Sequence, residues 1–340
     1  MDPRTIFEKI RGVRAVLLGD LCLDVYWAAD MTKSRLSRET AHFPLPVVEE
    51  RMSPGAGGNA AACMAALEPA ALMVLGVIGH DWRGTELRNC FSKIRGLDAS
   101  RIVSAPGIRT NAYCKPMRFG YSGEATEDPR LDFENDALLP KEAEDALSAA
   151  LHEAVSGADV LVVSDQFTYG AVTPRIREEV LSLAKQGLTV LVDSRDRIGL
   201  YRYAILKPNE IECARALGLP EGALSDGASD ETLKDAVAAL SRQCDAEVCL
   251  TLGSRGSLFF DRTDAVFAPA VKQEPPVDIV GAGDCFLSAF ALTTAAGVAR
   301  GEALTFASYA SAVSVKKIGT TGTASPEEIL TLWEERNAGH

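Results

Sequence analysis

The chain has 340 residues, 47% of them hydrophobic, so it is long enough to bury a sizeable core. Its formal net charge of −12, with no run of basic residues, argues against nucleic acid or an anionic membrane as the main partner. The eight cysteines are scattered without a Cys-x-x-Cys pair, and the four histidines show no zinc-ligand spacing. The most apolar stretch, residues 286–299, is too short and too rich in Ala and Thr to span a bilayer, and we find no secretory signal at the start. We therefore expect a cytoplasmic protein with reduced thiols that acts on a small molecule.

The first elements predict a buried strand followed by an unusual loop. Residues 13–19 form a short apolar run that ends in Gly-Asp, and Asp24 follows. A dinucleotide-binding fold would place Gly-x-Gly-x-x-Gly at this point, whereas this chain has one glycine and two acidic residues. An NAD-dependent oxidoreductase is therefore disfavoured.

Two segments, residues 27–50 and 106–135, do not fit the pattern of the main body. The first is polar and contains Pro44 and Pro46, which exclude a central strand. In the second, residues 130–133 alternate between polar and apolar as a half-exposed strand would. We expect both segments to leave the main sheet.

A glycine-rich loop, residues 54–59 (Pro-Gly-Ala-Gly-Gly-Asn), precedes an Ala-rich helix predicted over residues 60–67. The glycines allow a ligand to approach the backbone closely, and Asn59 offers both a donor and an acceptor. The alternative is that the glycines only allow the chain to turn and bind no ligand, and we favour the ligand site.

From Pro140 onward, strands and helices alternate, which predicts βαβ units and a mostly parallel sheet covered on both faces. Ligands bind beyond the carboxyl ends of the strands in such sheets. Residues that fall at or just after predicted strand ends are Asp24, Asn59, Asp165, Asp193, Asn209, Gly253 and Asp284. Because so many polar residues share this position, the sequence predicts a binding site there.

Residues 277–286 (Val-Asp-Ile-Val-Gly-Ala-Gly-Asp-Cys-Phe) lead from a β-branched run into a helix. Uncovered N–H groups at a helix start favour an anion, yet Asp284 would repel one. Its presence is explained if it removes a proton from a hydroxyl that attacks a bound phosphoryl group. An ordinary acidic residue at a glycine-rich helix start is the other interpretation, and these residues by themselves leave both open.

The chain resembles the PfkB/ribokinase family of sugar kinases, because four segments resemble motifs of that family and occur in the same order. Residues 281–284 resemble its anion-hole and catalytic-base motif, and residues 55–59 resemble its N-terminal glycine motif. Residues 209–212 match its Asn-x-x-Glu motif, and residues 251–256 resemble its nucleotide loop. The resemblance covers essentially the whole chain. It implies one ribokinase-like α/β domain over residues 1–340, doubly wound with a mostly parallel sheet, in which the segments 27–50 and 106–135 form a small β-strand lid over the sugar.

Within the family the resemblance is greatest to the heptose-7-phosphate kinases, through segments such as residues 19–27 and 130–134. A sugar phosphate, with a heptose phosphate as one candidate, is therefore the expected substrate. Residues 38–41 and 109–115 depart from the subfamily's pattern, and both would lie in the lid. Basic residues available to hold an existing phosphate are Arg109, Lys115, Arg118 and Arg130, unless they are solvated lid charges.

The resemblance implies direct in-line transfer from ATP to a sugar hydroxyl. Asp284 would take the hydroxyl proton, while N–H groups around Gly281, Ala282 and Gly283 would hold the developing charge. The residues implied to bind the sugar are Asp24, Gly57, Asn59 and Asp165. Those implied to bind the nucleotide are Lys207, Asn209, Thr251, Gly253, Gly256 and Ser311.

Metal ions and a second subunit are also implied. Asn209 and Glu212 would position Mg²⁺, largely through water. Asp278 and Val280 lie where relatives bind K⁺, although Asp278 could equally be an acidic residue near a turn. The lids of relatives often pair two copies of the chain, so we expect a homodimer. The alternative function is a catalytically idle, kinase-like protein that binds a sugar or nucleotide for regulation, and the intact base, glycines and Asn-x-x-Glu set disfavour it.

Overall fold

In the computed structural model, which describes residues 2–225, 227–319 and 321–338, the chain forms sixteen strands and ten α-helices. His340, one of the four histidines, lies outside these ranges. The strands are β1 (Arg14–Gly19), β2 (Leu21–Asp30), β3 (Val47–Ala56), β4 (Ala71–Leu75), β5 (Val77–Gly79), β6 (Leu97–Asp98), β7 (Val103–Ala105), β8 (Asn111–Phe119), β9 (Ala125–Glu127), β10 (Leu131–Phe133), β11 (Val160–Asp165), β12 (Thr189–Ser194), β13 (Ile205–Leu206), β14 (Glu247–Thr251), β15 (Gly256–Phe260) and β16 (Ala265–Pro269). The helices are α1 (Pro3–Ile10), α2 (Gly57–Ala66), α3 (Trp82–Ser92), α4 (Lys141–Ala154), α5 (Pro174–Lys185), α6 (Glu210–Ala216), α7 (Asp230–Cys244), α8 (Ala282–Ala295), α9 (Arg300–Ser314) and α10 (Pro326–Asn337).

Nine strands form the main sheet in the order β16-β15-β14-β13-β12-β11-β1-β4-β6. Neighbours from β14 to β6 are parallel, and β15 and β16 add an antiparallel edge. The central strand β11 is buried at every position, as a strand covered on both faces must be. The predicted doubly wound, mostly parallel sheet is confirmed.

Two hydrophobic clusters cover the two faces of this sheet. One draws mainly on α1, α2, α8 and α9, and the other on α4, α5, α6 and α7. The Thr173 hydroxyl caps α5 with Pro174 in its first turn, and Ser325 and Glu328 form a capping box at the start of α10. Helix starts were therefore readable from local sequence.

A second, five-stranded sheet contains β10, β8, β2 and β3 in that order, with β9 paired to β8. It includes the strands of the two segments predicted to leave the main sheet, and it extends beyond those segments. Strand β2 begins at Leu21, directly after β1, and β3 continues to Ala56 because residues 54–56 pair with Leu21 to Leu23. Pro54 is tolerated because β3 lies at the edge of its sheet. We call this second sheet the lid.

The stretch 71–79 is divided into β4 and β5 at Gly76. A Cβ at Gly76 would lie 2.7 Å from the carbonyl oxygen of Gly19 and from the Leu21 side chain. The backbone therefore passes too close to β1 and β2 for a side chain here.

Among the helices that the structure describes, none is long and apolar enough to cross a bilayer.

Candidate active site

Asp284 lies in the first turn of α8, and its carboxylate accepts no hydrogen bond from any described residue. Burial raises its pKa to about 7, and the negative charges of Asp193 and Asp24 add to that shift, against the opposing effect of Lys207. A carboxylate that titrates near neutrality and lacks a partner can accept a proton from a substrate. The geometry thus suits Asp284 to act as a general base.

The N-terminus of α8 is built around Gly281, which has φ +80° and caps the helix without a side chain. A Cβ at Gly281 would lie 2.3 Å from Cγ2 of Thr321, so this position requires glycine. At exposed Gly283, by contrast, an added Cβ would meet no atom within 4 Å. The N–H of Ala282 donates to the carbonyl of Ile279 at 3.2 Å, whereas the N–H groups of Gly283 and Asp284 have no described acceptor and can receive an anion from outside the protein.

Lys207 occupies the centre of an acidic cluster. It is only 4% exposed, and its Nζ lies 3.5 Å from Oδ1 of Asp193. Burial lowers its pKa, but the charges of Asp193, Glu212 and Asp284 outweigh burial, so the pKa is raised and the lysine stays cationic. One cation thus faces three carboxyl groups at the carboxyl ends of the strands.

In the lid, Asp24 presents a buried oxygen without a partner. Its Oδ2 lies 3.6 Å from Nζ of Lys115, whereas its Oδ1 is buried and unpaired. A Cβ at Gly55 would lie 2.7 Å from Oδ1, so only glycine leaves room for this carboxylate. The amide of Asn59, in the first turn of α2, likewise has no described partner. An unpaired buried acceptor is costly, and a sugar hydroxyl would satisfy it.

Other predicted sugar-binding groups are used by the scaffold. The Asp165 side chain is fully buried and accepts hydrogen bonds from Arg197, from the Ser194 hydroxyl at 2.8 Å and from the Tyr201 hydroxyl at 2.9 Å. The N–H of Gly57 donates to the carbonyl of Asp20 at 2.8 Å. We therefore leave Asp165 and the Gly57 N–H out of the set of free sugar-binding groups.

The predicted Mg²⁺ residues form a capping box at the start of α6. The Asn209 side chain accepts from the N–H of Glu212 at 2.8 Å, and the Glu212 carboxylate accepts from the N–H of Asn209 at 2.9 Å. Burial and the neighbouring Asp193 raise the pKa of Glu212 to about 7, and its Oε1 has no described partner. An unpaired carboxylate oxygen beside further carboxylates fits the hard oxygen ligands that Mg²⁺ takes. No three His, Cys, Asp or Glu side chains of the described residues form a complete metal cluster, so the ion would depend on water and nucleotide oxygens.

The predicted nucleotide residues differ in how open they are. Gly253 has φ +53° and nothing within 4 Å of an added Cβ, whereas a Cβ at Gly256 would lie 2.1 Å from the carbonyl oxygen of Ala268 in the paired strand. The Ser311 hydroxyl donates to the carbonyl of Ala282 at 2.7 Å, and the Thr251 hydroxyl donates to the carbonyl of Pro208 at 3.3 Å. Gly256, Ser311 and Thr251 thus all have structural roles that the sequence motif did not reveal.

At the predicted K⁺ site, both oxygens of Asp278 accept backbone hydrogen bonds. Oδ1 accepts from the N–H of Val280 at 3.0 Å, and Oδ2 accepts from the N–H of Gly319 at 2.9 Å. These bonds fix the loop that precedes α8. They account for Asp278 as a turn residue, and the K⁺ site stays a prediction.

Sequence reasoning missed the role of Asp20. Its buried carboxylate accepts hydrogen bonds from the N–H groups of Gln166, Phe167 and Ala171, each within 2.7 Å. It therefore holds the loop after β11 against the start of the lid. The Gly-Asp that ends β1 was the available signal, because a polar residue there can reach neighbouring loops.

The motifs and their positions agree with a family model described as pfkB family carbohydrate kinase, which matches residues 36–328. The chain belongs to the pfkB family of carbohydrate kinases. Among curated relatives, it is 31% identical to the bifunctional protein HldE of Trichlorobacter lovleyi, over 96% of this chain and 64% of that protein. It is 32% identical to the HldE of Caulobacter vibrioides, over 91% of this chain and 61% of that protein. The chain therefore spans less than two thirds of these relatives.

Solved structures share the ribokinase-like fold. Phosphofructokinase-2 from Escherichia coli in complex with potassium superposes with a TM-score of 0.73 at 19% identity, covering 95% of this chain and 99% of that one. Arabidopsis thaliana ribokinase complexed with ribose and ATP gives a TM-score of 0.66 at 21% identity, covering 94% and 98%. At this identity the likeness establishes the pfkB-family fold and nothing finer.

The raised carboxyl pKa values predict how stability depends on pH. Asp284 and Glu212 have folded-state pKa values of about 7, above their ordinary values of 3.8 and 4.5, so the folded state binds more protons between those limits. The free energy of unfolding should therefore fall as pH rises from about 4 to about 7. Thermal unfolding of the ligand-free protein across this range measures the slope. The Asp284→Asn variant should flatten it, and an unchanged slope would contradict burial as the cause.

Proposed function

We propose that this kinase transfers the γ-phosphoryl group of ATP to a hydroxyl of a sugar or sugar phosphate in the cytoplasm, with Asp284 as the general base. The observation that carries the proposal is the free Asp284 carboxylate at the start of α8, with a pKa of about 7. It lies within the electrostatic influence of both Lys207 and Asp24. A base, an anion site and a sugar acceptor are thus close together.

The residues have separate tasks in this reaction. Asp24 and Asn59 orient the sugar by accepting and donating hydrogen bonds, which places the attacking hydroxyl. The ionised form of Asp284 accepts the hydroxyl proton as the oxygen attacks. The N–H groups at the start of α8 and the Lys207 cation stabilise charge on the transferred group. Mg²⁺ held near Glu212 would neutralise phosphate charge, and K⁺ near Asp278 is a further candidate.

ADP release measured against a panel of sugars and sugar phosphates tests the function. Turnover with one member supports the proposal. Tight binding of a sugar or nucleotide with no turnover across the panel would instead favour the catalytically idle binding protein.

The lid favours a phosphorylated sugar, with a heptose phosphate as one candidate. Arg51, Tyr26 and Lys115 lie directly opposite one another on three neighbouring strands. The Arg51 guanidinium and Nζ of Lys115 are each 4.6 Å from the centre of the Tyr26 ring, and Lys115 donates to the Tyr26 hydroxyl at 2.9 Å. Tyr26 is two residues from Asp24, so this basic row lies about 7 Å along the strand on the same face. A sugar held by Asp24 would direct a phosphate on its far end toward the two cations.

The other basic residues named from the sequence differ from Lys115 in their contacts. Arg130 neighbours this row and stacks 4.1 Å from the centre of the Tyr113 ring, although its guanidinium is paired with Asp132. Arg118 alternates onto the opposite face of β8 and pairs with Asp128 at 2.6 Å. Arg109 precedes β8. Its N–H donates to the side-chain oxygen of Asn135, and its carbonyl accepts from the side-chain nitrogen of the same residue. Arg51, which the sequence did not indicate, joins Lys115 in this row; its guanidinium donates to the carbonyl of Gly319 and is not paired with a carboxylate of any described residue.

Replacing Arg51 with Gln should raise KM for the sugar phosphate about 10- to 100-fold, because a hydrogen bond between charged groups contributes roughly 1.5–3 kcal/mol. The value of kcat/KM for the unphosphorylated sugar should change little. Arg118→Gln is the matched control, since it removes the same charge from the opposite face of the lid. Equal losses for phosphorylated and free sugars would refute the phosphate site.

We propose that two copies of the chain pair through their lids. The first five residues of β3, Val47 to Arg51, are exposed although they form a strand, and the outer edge of β3 is unpaired. Val48 within this strand is exposed, and so are the apolar side chains of Leu36 and Phe43 in the segment that leads into β3. An unpaired edge with apolar neighbours is suited to pairing with a second copy.

Sedimentation should therefore show a dimer that Val48→Lys converts to a monomer. Leu200→Lys, which alters an exposed apolar side chain 53% accessible in another region, should stay dimeric. A wild-type protein that is monomeric at high concentration would exclude the pairing.

A further inference from the structure

Cys63 and Cys285 lie in contact beneath the N-terminus of α8. Their sulfur atoms are 2.8 Å apart, and the residues are 2% and 1% exposed. Cys63 belongs to α2, and Cys285 directly follows Asp284 in α8. The two residues are 222 positions apart in sequence, so only the fold brings them together.

Both thiols also contact one carbonyl oxygen that supports the anion site. Sγ of Cys285 donates to the carbonyl of Gly322 at 3.2 Å, and Sγ of Cys63 donates to it at 3.6 Å. The neighbouring Thr321 packs against Gly281, the glycine that caps α8. The reduced pair thus holds the segment that lines the start of α8.

From this geometry we infer that Cys63 and Cys285 form a peroxide-sensitive pair whose disulfide switches off phosphoryl transfer. One thiol attacks hydrogen peroxide, giving a sulfenic acid and one water; the second thiol then displaces the hydroxyl as water and closes the S–S bond. Two thiols are oxidised and one peroxide is reduced to two waters. The sulfurs must approach from 2.8 Å to about 2.05 Å, a small movement that needs no rearrangement of the sheet.

Closure alters the site in two ways. It removes both S–H donors from the Gly322 carbonyl, which frees the segment that packs on Gly281. It also draws the backbone of Cys285 toward α2, and with it the adjacent Asp284. A shift of about 1 Å at a catalytic group can cost about 100-fold in rate, so the smaller displacement expected here should cost less than that. The contact with Cys285, together with burial, raises the pKa of the Cys63 thiol well above its ordinary value, so little thiolate is present and the pair stays reduced at low oxidant concentration.

The test treats the intact protein with hydrogen peroxide and maps thiols by mass spectrometry, with and without dithiothreitol. We expect a peptide cross-link between Cys63 and Cys285 and the loss of two hydrogens. Kinase activity should fall severalfold, by less than about 100-fold, and return on reduction. Cys63→Ser, whose hydroxyl can still donate to Gly322, should keep its activity in peroxide. Cys90→Ser, which alters the half-buried thiol, should respond as wild type does.

The effect on catalysis rests on the proposed function, whereas the cross-link does not. If no sugar is phosphorylated, ATP affinity by calorimetry replaces activity as the readout, and oxidation should weaken it. A missing cross-link between these two residues overturns the inference. A cross-link that leaves both activity and ATP affinity unchanged overturns the switch.

Discussion

Replacing Asp284 with Asn should reduce kcat by about 10²–10⁴, or roughly 3–5 kcal/mol of activation free energy, because the amide cannot accept the hydroxyl proton. ATP affinity should be unchanged or slightly higher, since a negative charge near the γ-phosphate is removed. The fold should be retained, because the carboxylate makes no hydrogen bond to any described residue. The measurements are kcat with the identified substrate, ATP affinity by calorimetry and the unfolding temperature.

Two variants make this experiment specific. Asp235→Asn makes the same chemical change on the exposed face of α7 and should leave kcat unchanged. Gly283→Ala adds a methyl group where no protein atom lies within 4 Å, so any loss of activity must come from crowding the bound phosphate. Wild-type kcat in Asp284→Asn would show that Asp284 is not the base. Joint loss of ATP binding and stability would mark it as structural.

The second large effect is expected for Lys207→Met, which keeps most of the length of the side chain and removes its charge. In this variant the positive charge of the lysine no longer offsets the repulsion among the carboxylates of Asp193, Glu212 and Asp284. The pKa of Asp284 should therefore rise further above about 7. The transferred phosphoryl group also loses a positive partner. We expect kcat/KM for ATP to fall about 10³-fold, in the range found when a single charge-stabilising group is removed.

The pH profile separates these two contributions. Activity requires ionised Asp284, so the wild-type rate should fall as pH drops below about 7. In Lys207→Met this acidic limb should move to higher pH, whereas Lys207→Arg, which keeps the charge, should leave it near its wild-type position. Lys234→Met, on the exposed face of α7, controls for the loss of a lysine. An unmoved limb would show that Lys207 does not act on Asp284.

Features that depend on near neighbours in the chain were readable from the sequence. The buried runs of β1 and β11, the caps at Thr173 and Ser325 and the alternation of elements follow from periodicity and short hydrogen bonds. They suffice to predict a doubly wound sheet, and hence that polar residues at its strand ends meet. Asp284 could be identified as a candidate base because its negative charge would repel an anion bound at the same helix start.

Which of these polar groups remain free was decided by contacts between distant parts of the chain. Asp165 and Asp24 are both buried acids in the predicted site. The Asp165 carboxylate accepts hydrogen bonds from Arg197, Ser194 and Tyr201, whereas one oxygen of Asp24 has no described partner. The pKa of about 7 at Asp284 depends on burial and on Asp193, which lies 91 positions earlier in the sequence. The Cys63–Cys285 contact is likewise a result of packing α2 on α8. Burial and pairing arise only when the elements pack, so the sequence determined the candidates and the tertiary structure determined their availability.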